Sequence, residues 1–480
     1  MGAPTFVVLP RYRVPEAFDM VDMRDVCLSA LKVGKSLGVD EVEAYVLDKE
    51  VITIRIANSQ IIESKGIRDR GLAVRVVKGK AIGSAATTGL TSENLKKNLH
   101  DAFASAKVRG PAKHWTSLPK PGKLEIVPKL WDGRLAKLTV DETAKIAFRM
   151  MDSALGRGDK IADVSGSLNV VRESVSLMNN HGLDVEEKAS YILGTVTTEA
   201  REGTETSSGF SFHSARTLAD FNADQVGIEA ADMALRSLGA RSANEDKYSL
   251  ILTPSAFGEV LAFVLSPHFV SKSYQDKVSC FYGKLGRKIV DENVTVYDDP
   301  RVIGGLGSKS FDDEGVPTMR TPLIEGGIFK NLLYDTFYAS KDKVQTTGNA
   351  LRFGGPIGRS CDPIPFPSPH DVSVKPGDYT VEELIRETKR GILASRLWYT
   401  YPINPERGDF STTARSGNFL IEKGEIKYPV RMMRIYDNLP RWLNSVEGIG
   451  KEVSQVMPWH ALPSITPAIK IENVKVTPVA

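Results

Sequence analysis

Short runs of β-branched and aromatic residues, each bounded by a turn signal, recur along the chain. In the first half, Val51–Ile56 is one such run, and Leu72–Val77 leads through the turn Lys78–Lys80 into Ile82–Ala86. Runs joined by tight turns are typical of antiparallel strands, because a turn of a few residues can join only neighbours that run in opposite directions. The sequence therefore predicts antiparallel sheets as the framework of the chain.

Four segments of the first half carry apolar residues at helical spacing and predict helices that flank the sheets. They are Pro15–Leu37, Glu93–Ala106, Val140–Gly156 and Ala219–Leu238. The segment that follows them, Gly239–Asp246, is polar and built mostly of small residues, as domain boundaries often are. Because 480 residues are too many for one core, we predict one domain over residues 1–240 and another over residues 241–480.

The second half is dominated by short strand patterns separated by turns. The strand patterns are Thr295–Tyr297, Leu323–Glu325, Ile328–Tyr334, Asn418–Glu422 and Glu425–Pro429. Helical patterns are few, with Tyr379–Arg390 and Asn438–Ser445 as examples. We therefore predict an α+β fold, with N-terminal antiparallel sheets flanked by helices and a C-terminal β-rich, barrel-like domain.

The charge and cysteine content exclude several classes of protein. With 62 basic and 59 acidic residues the formal net charge is +3, which argues against nucleic acid as an obligatory partner. No stretch approaches the roughly 18 apolar residues of a membrane span, and Met1–Pro15 lacks the layout of a signal peptide. Cys27, Cys280 and Cys361 lie far apart and form no Cys-x-x-Cys pair. We therefore expect a cytoplasmic protein without disulfides or a cysteine-built zinc site.

Several short motifs follow one another in a definite order along the chain. The N-terminal pattern runs from Val42 to Ala85 and includes Arg75. The C-terminal motifs are Ser310–Thr318 with its Phe-Asp-Asp-Glu-Gly turn, Leu323–Ile328, Leu332–Asp335, Thr347–Ala350, Gly408–Ser411 and Leu420–Val430. In order and spacing, these motifs resemble the TldD/PmbA (TldE) family of metalloprotease-related proteins over nearly the whole chain.

The resemblance implies two kinds of subunit. TldD-like chains carry His-Glu-x-x-x-His on a helix and a late cysteine, and these residues bind zinc. In such a site the metal polarises the peptide carbonyl while the glutamate moves protons. PmbA/TldE-like chains lack those ligands and pair with a TldD-like subunit.

This chain departs from the zinc-bearing pattern at the helix predicted over Ala256–Leu265. Matching Ser279–Phe281 to the Ser-x-Phe segment that follows the motif helix places Ala262, Phe263 and Pro267 at the His, Glu and His positions. Their side chains can neither bind zinc nor transfer protons, and the late cysteine is missing too. The resemblance is therefore to the PmbA/TldE branch. We predict no metal, cofactor or catalytic residue in this chain, and apolar replacements that fill a core.

Other residues near the vacant motif offer alternatives. His268 and Cys280 could form a rearranged metal site, but a loop histidine and a small buried thiol are the simpler interpretation. Glu259 lies on the same helix and has no histidine at the ligand spacing of the motif. We therefore interpret it as a solvated or capping carboxylate.

Three adjacent carboxylates, Asp312, Asp313 and Glu314, precede Gly315. Such neighbours rarely converge on one cation without further oxygen ligands, so we expect a turn in which Asp312 or Asp313 accepts hydrogen bonds from nearby backbone amides. The functional alternative is that the three carboxylates face the partner subunit or the amino group of a peptide. The segment Arg352–Gly355 is either a flexible substrate loop or an ordinary one.

These features predict the non-catalytic, TldE-like subunit of a cytosolic zinc metalloprotease. It would pair with a TldD-like subunit that holds the zinc, bind neither nucleic acid nor membrane, and serve the proteolysis of unfolded peptides, with no activity when the partner is absent. A homodimeric peptide-binding protein is one alternative. The other is a hydrolase with a different active site, in which Asp409 or His268 would act.

Overall fold

The computed structural model describes residues 22–479. This part of the chain forms two large sheets with helices packed against them. The strands of the first sheet are β1 (Glu41–Ala57), β2 (Gln60–Lys78), β3 (Ala81–Thr87), β4 (Ile161–Asn179), β5 (Asp184–Glu202) and β6 (Glu205–Ala215). Their spatial order is β3-β2-β1-β4-β5-β6, and all neighbours are antiparallel. The predicted antiparallel N-terminal sheet is confirmed.

The strand β1 extends well beyond the predicted Val51–Ile56 and contains 17 residues. Asp48 and Lys49 interrupt its apolar pattern, and each has a partner elsewhere. Asp48 accepts two hydrogen bonds from Arg68 on β2, at 2.8 and 2.7 Å. Lys49 Nζ donates to the carbonyl of Ile357 at 2.6 Å. Charged residues therefore continue the strand because distant segments supply their partners.

Helices cover one face of the first sheet. They are α1 (Met23–Ser36), α2 (Ser92–Arg109), α3 (Val140–Leu155) and α4 (Ala223–Arg236). Each begins after a side chain that accepts a backbone N–H, namely Asp22, Thr91, Thr139 and Asn222. The four predicted helices are confirmed within a few residues, although the predicted start at Pro15 lies outside the described residues. The predicted domain boundary lies in the segment that follows α4.

The second half, within the described residues, contains thirteen strands of very different lengths. They are β7 (Asp246–Leu252), β8 (Val296–Asp298), β9 (Thr321–Glu325), β10 (Ile328–Phe329), β11 (Ala350–Leu351), β12 (Phe366–Pro367), β13 (Val372–Val374), β14 (Arg390–Asn404), β15 (Asp409–Glu422), β16 (Glu425–Pro429), β17 (Met433–Asn438), β18 (Val446–Val456) and β19 (Ser464–Pro478). Five of them form a closed ring, because β19 pairs with β17, β17 with β15, β15 with β14, β14 with β7, and β7 with β19. The predicted barrel-like, β-rich half is confirmed.

The helices of the second half are short. They are α5 (Pro254–Val260), α6 (Ser271–Gln275), α7 (Thr336–Asp342), α8 (Val381–Arg386) and α9 (Leu439–Leu443). The prediction of a helix over Tyr379–Arg390 is too long, because Thr380 caps α8 and Arg390 already belongs to β14. Within residues 22–479 no helix is both long enough and apolar enough to cross a membrane.

The face of the first sheet that the helices leave free packs against the second half. Tyr45 and Leu47 of β1 lie in one apolar cluster with Phe311. Tyr191 of β5 lies in another with Leu306. Alternate residues of the strands therefore face the helices and the second half in turn, so the central strands β1 and β4 are largely buried on both sides. This contact brings two loop segments, residues 305–316 and 350–362, onto the sheet.

Candidate functional site

The helix at which the resemblance places the zinc motif is irregular. Its regular part, α5, ends at Val260, and Leu261–Leu265 form a π-helical turn. Ser266–Phe269 then continue as a 3-10 turn, so helical backbone extends beyond the predicted end at Leu265. Turns of the π type are rare and are found frequently at functional sites. We call the whole segment Pro254–Phe269 the motif helix.

The motif helix forms one wall of an open cleft of about 460 Å³, which we call the motif cleft. Ala262, Ser266 and Pro267 line it from the helix. Across from them lie apolar side chains: Tyr191, Leu306, Leu351, Phe353, Ile357 and Phe366. A concave, mostly apolar volume of this size is typical of a ligand site.

The three positions of the vacant motif differ in their surroundings. Phe263 packs against the apolar core of the second half, as predicted. Ala262 and Pro267 line the motif cleft, and Pro267 is exposed. The prediction of a filled core is therefore wrong at Pro267, whereas Ala262 packs against the core of the second half and also borders the cleft.

The residues of the motif cleft do not fit a zinc ion. The side chains of Ala262, Phe263 and Pro267 carry no atom that could coordinate zinc. Among residues 22–479, no group of three or more His, Cys, Asp or Glu side chains is arranged so that it could hold a metal ion. Two of the positions that would carry the metal, Ala262 and Pro267, therefore contribute shape and apolar surface to the cleft.

Polar groups without partners of their own also line the motif cleft. Ser266 Oγ and His370 Nδ1 are buried and make no hydrogen bond within the described part of the chain. Lys309 Nζ lies 3.8 Å from Asp313 Oδ2, beyond hydrogen-bonding distance. Leaving buried polar groups unpaired costs free energy. The wall of the motif cleft therefore contains buried polar groups that are not satisfied within the described residues.

The protonation state of His370 follows from its contacts. Its Nε2 lies 2.9 Å from the carbonyl oxygen of Gly348, which can only accept a hydrogen bond. Nε2 therefore carries the proton and Nδ1 a free lone pair. Burial lowers the pKa of His370 to about 3, so the ring is neutral at pH 7. His370 is thus a neutral, buried residue in the wall of the motif cleft, beside the charged Lys309.

His268 and Cys280 lie in the core of the second half. The imidazole of His268 packs 5.4 Å from the ring of Phe281, and burial lowers the pKa of His268 to about 4. Burial raises the pKa of the Cys280 thiol to about 12, so it stays protonated and is a poor metal ligand. The predicted buried thiol is confirmed. The predicted loop position of His268 is wrong, because it belongs to the 3-10 turn of the motif helix.

Glu259 is buried, so the prediction of a solvated or capping carboxylate is wrong. Its Oε1 accepts a hydrogen bond from the Thr400 hydroxyl at 2.7 Å, and its Oε2 accepts one from Trp459 Nε1 at 3.2 Å. Burial raises the pKa of Glu259. Its two partners lie about 140 and 200 residues away along the chain, so the local sequence could not indicate them.

The acidic turn is fully buried and occupied by groups of this chain. Asp312 Oδ1 accepts from the backbone N–H of Glu314 and of Val316, each at 2.9 Å, and its Oδ2 accepts from Ala350 at 3.0 Å. Asp312 therefore fixes the turn through backbone amides, as expected of it. Asp313 and Glu314 instead pair with arginines, and none of the three carboxylates lies on the surface.

These pairs belong to a buried network that joins the two halves, which we call the ion cluster. Its members are Glu43, Arg75, Glu173, Glu187, Lys309, Asp313, Glu314, Arg352 and Arg359. Arg75 of β2 binds Glu43 at 2.7 Å and Glu314 at 2.6 Å. Arg359 binds Asp313 and Glu187, both at 2.8 Å. Opposite charges from both halves thus neutralise one another inside the interface.

Asp313 connects the ion cluster to the motif cleft. Burial alone would raise the pKa of Asp313, but the Lys309 ammonium and the Arg359 guanidinium outweigh burial and lower it. Lys309 also lines the motif cleft. The ion cluster therefore holds a charged donor of the cleft in place. The segment Arg352–Gly355 is not flexible throughout, because Arg352 is bound to Glu43 at 3.0 Å. Its next residue, Phe353, lines the cleft.

Sequence profiles of one family match three successive parts of the chain. Domain 1 of the PmbA/TldA metallopeptidases matches residues 42–106, their central domain residues 133–238 and their C-terminal domain residues 245–478. The chain belongs to the PmbA/TldD metallopeptidase family. The resemblance drawn from the motifs is thereby confirmed.

Individual members of the family are similar along most of their length. The crystal structure of TldE from Thermococcus kodakarensis superposes with a TM-score of 0.86, at 27% identity, over 94% of this chain and 100% of that chain. A metalloprotease of Methanocaldococcus jannaschii is 26% identical over 436 residues, which are 88% of this chain and 93% of the relative. Metalloprotease PmbA of Escherichia coli O157:H7 is 24% identical over 429 residues, 88% and 89% of the two chains.

Proposed function

We propose that this chain is the non-catalytic subunit of a zinc metalloprotease and pairs with a TldD-like subunit that supplies the zinc. The motif cleft carries the proposal. Its helix is present and its volume is open, yet Ala262, Phe263 and Pro267 occupy the positions of the zinc-binding motif. The similarity to TldE from Thermococcus kodakarensis supports placing the chain in this branch of the family.

In this role the chain would help to bind unfolded peptides for the partner. The apolar walls of the motif cleft can accept side chains of many sequences, and the Lys309 ammonium in its wall can donate to a peptide carbonyl. We place the complex in the cytoplasm, because Cys27, Cys280 and Cys361 are free thiols, which a reducing compartment maintains.

Purification of the chain alone and together with a TldD-like subunit tests the proposal. We expect the pair to elute as one complex that contains stoichiometric zinc and cleaves an unfolded peptide. The chain alone should contain no stoichiometric zinc and cleave nothing. Zinc and cleavage in the isolated chain would refute the proposal. A homodimer that does not bind the TldD-like subunit would instead support a peptide-binding protein without a protease partner.

A substitution in the motif cleft tests whether this chain contributes to peptide binding by the complex. Ala262→Trp places an indole in the open volume, so we expect the KM for an unfolded peptide to rise while zinc content and complex formation stay unchanged. Ala104→Trp is the matched control, because Ala104 is exposed on α2, outside the cleft. Equal KM values for both variants would contradict a role of the motif cleft in peptide binding.

A further inference from the structure

A second cavity, of about 340 Å³, lies beside the first turns of the motif helix. Ser255 and Glu259 line it, whereas Ala262 and Ser266 line the motif cleft. The segment before β19 separates the two spaces, because its residues 457–460 line the second cavity and its residues 461–463 line the cleft. The two cavities therefore lie on either side of one chain segment and are distinct sites.

Aromatic rings and one arginine dominate the second cavity. Phe210 and Phe212 of β6 and Trp459 supply the rings. The guanidinium of Arg396, on β14, lies 3.9 Å from the ring centroid of Phe210 and 5.6 Å from that of Trp459. Both rings lie within cation–π distance of the guanidinium, which favours its position over the face of Phe210.

Arg396 differs from the arginines of the ion cluster in having no carboxylate within salt-bridge distance in the described part of the chain, and its nearest acidic neighbour in the cavity, Glu259, is bound to Thr400 and Trp459 instead. Within the described residues Arg396 makes no side-chain hydrogen bond and has no carboxylate oxygen within 4.0 Å, whereas Arg75, Arg352 and Arg359 each bind carboxylates. Its neighbour Arg415, 3.3 Å above the ring of Trp398, is equally without an anionic partner in residues 22–479. Burial lowers the pKa of Arg396 to about 10; the positive charge of Arg415 adds to the effect, and the negative charge of Glu259 opposes it. The guanidinium nevertheless stays charged at neutral pH.

A partly buried cation that no carboxylate contacts is costly unless a ligand supplies the contact. A guanidinium presents its N–H donors in a planar fork that matches a carboxylate, and the rings beside it can hold an apolar body. Glu259 also lines the cavity, with its carboxylate fixed by Thr400 and Trp459. Its nearby negative charge disfavours anions that carry two charges, such as phosphate.

We propose that the second cavity binds a monocarboxylate with an apolar or aromatic body, with the carboxylate on Arg396 and the body against Phe210, Phe212 and Trp459. This chemistry is shared by a peptide that ends in an apolar residue and by a free organic acid. The inference goes beyond the proposed subunit role and does not depend on it, because the isolated full-length chain contains the whole site.

Calorimetric titration of the full chain with N-acetyl-L-phenylalanine tests the inference. We expect saturable binding of this acid and no binding of N-acetyl-L-phenylalanine amide, which has the same body without the charge. A hexapeptide ending in phenylalanine distinguishes the two sources of the ligand. Tighter binding of the hexapeptide than of the small acid supports a peptide end, and equal binding supports a free acid. Equal binding of acid and amide, or binding of inorganic phosphate alone, overturns the inference.

Variants at Arg396 locate the binding. Arg396→Met keeps an unbranched stem over Phe210 but removes the fork, so affinity for the acid should fall by about tenfold or more. Arg396→Lys, which keeps the charge, should lose less. The control Arg236→Met removes an exposed arginine stacked 4.8 Å over Phe419, outside the cavity, and should bind normally. Normal binding by Arg396→Met would refute the assignment, and the comparison of acid with amide on the unaltered chain decides it if that variant does not fold.

Discussion

The ion cluster provides the most demanding test of the interface between the two halves. Arg359 is its most highly connected member. Its guanidinium binds Asp313 and Glu187 at 2.8 Å, lies 3.5 Å from Glu173 and donates to the carbonyl of Phe311 at 3.2 Å. The change Arg359→Met removes these contacts while keeping most of the side-chain volume. The variant therefore measures the loss of charge rather than the creation of a cavity.

The magnitude follows from what remains around the three carboxylates. Glu173 keeps the Tyr191 hydroxyl at 3.3 Å, and Glu187 keeps the backbone N–H of Ser310 at 2.8 Å. Both, like Asp313, lose their arginine while remaining almost completely buried. Removing one partner of a buried ion pair typically costs about 3–5 kcal/mol. Because some hydrogen bonds survive, we expect a loss near the lower end, about 3 kcal/mol in the free energy of unfolding.

Urea unfolding monitored by tryptophan fluorescence measures this loss. The matched control is Arg149→Met, which breaks the exposed pair of Arg149 with Asp224 and should cost under about 1 kcal/mol. Arg359→Lys should fall between the two, because lysine keeps the charge but cannot bind several carboxylates in one plane. If Arg359→Met loses no more than the control, the ion cluster does not stabilise the interface and the reasoning is refuted.

Three further predictions concern single residues. The pKa of His268 is about 4 in the folded chain and about 6.5 when unfolded, so the unfolded state takes up the proton first and stability falls as pH drops from about 6.5 to 4, by up to about 3 kcal/mol. His268→Gln should reduce the loss of unfolding free energy between pH 7 and pH 4.5, and an unchanged loss would contradict this. Asp312→Ala leaves three buried amides without their acceptor and should cost about 3 kcal/mol in urea unfolding, compared with under about 1 kcal/mol for Asp224→Ala on the surface. Thr139→Ala removes the capping box of α3 and should cost about 1 kcal/mol in the same assay, so no measurable change would argue against the cap.

The local elements could be predicted because their signals are local. The turn after Lys78 contains Gly79 at a positive φ of 54°, a conformation that glycine adopts without strain, and it joins β2 to β3 as expected. The helix α3 begins where Thr139 and Glu142 form a capping box. In each case the residues that determine the structure lie within a few positions of one another.

The ion cluster could not be predicted, because its partners are far apart in the sequence. Arg75 and Glu314 are 239 residues apart, and Arg352 and Glu43 are 309 residues apart. A charged residue alone is most simply interpreted as solvated, and only the three-dimensional contact shows that each charge is buried beside its opposite. The one available signal was that Arg75 and the acidic turn both belong to the family motifs, which does not by itself pair them.

In the motif cleft, two of the positions that the resemblance assigns to the zinc motif border open space rather than filled core. A core is stabilised when side chains fill its space and when its polar groups are paired. Larger side chains at positions 262 and 267 would fill the space here. The chain instead has Ala262 and Pro267 beside an open volume, with Ser266 Oγ and His370 Nδ1 unpaired within the described residues. Unpaired polar groups and unfilled space each reduce stability, and such departures from good packing are expected where a site binds something. Open space and unsatisfied polar groups at these positions support the peptide-binding role proposed above over packing alone.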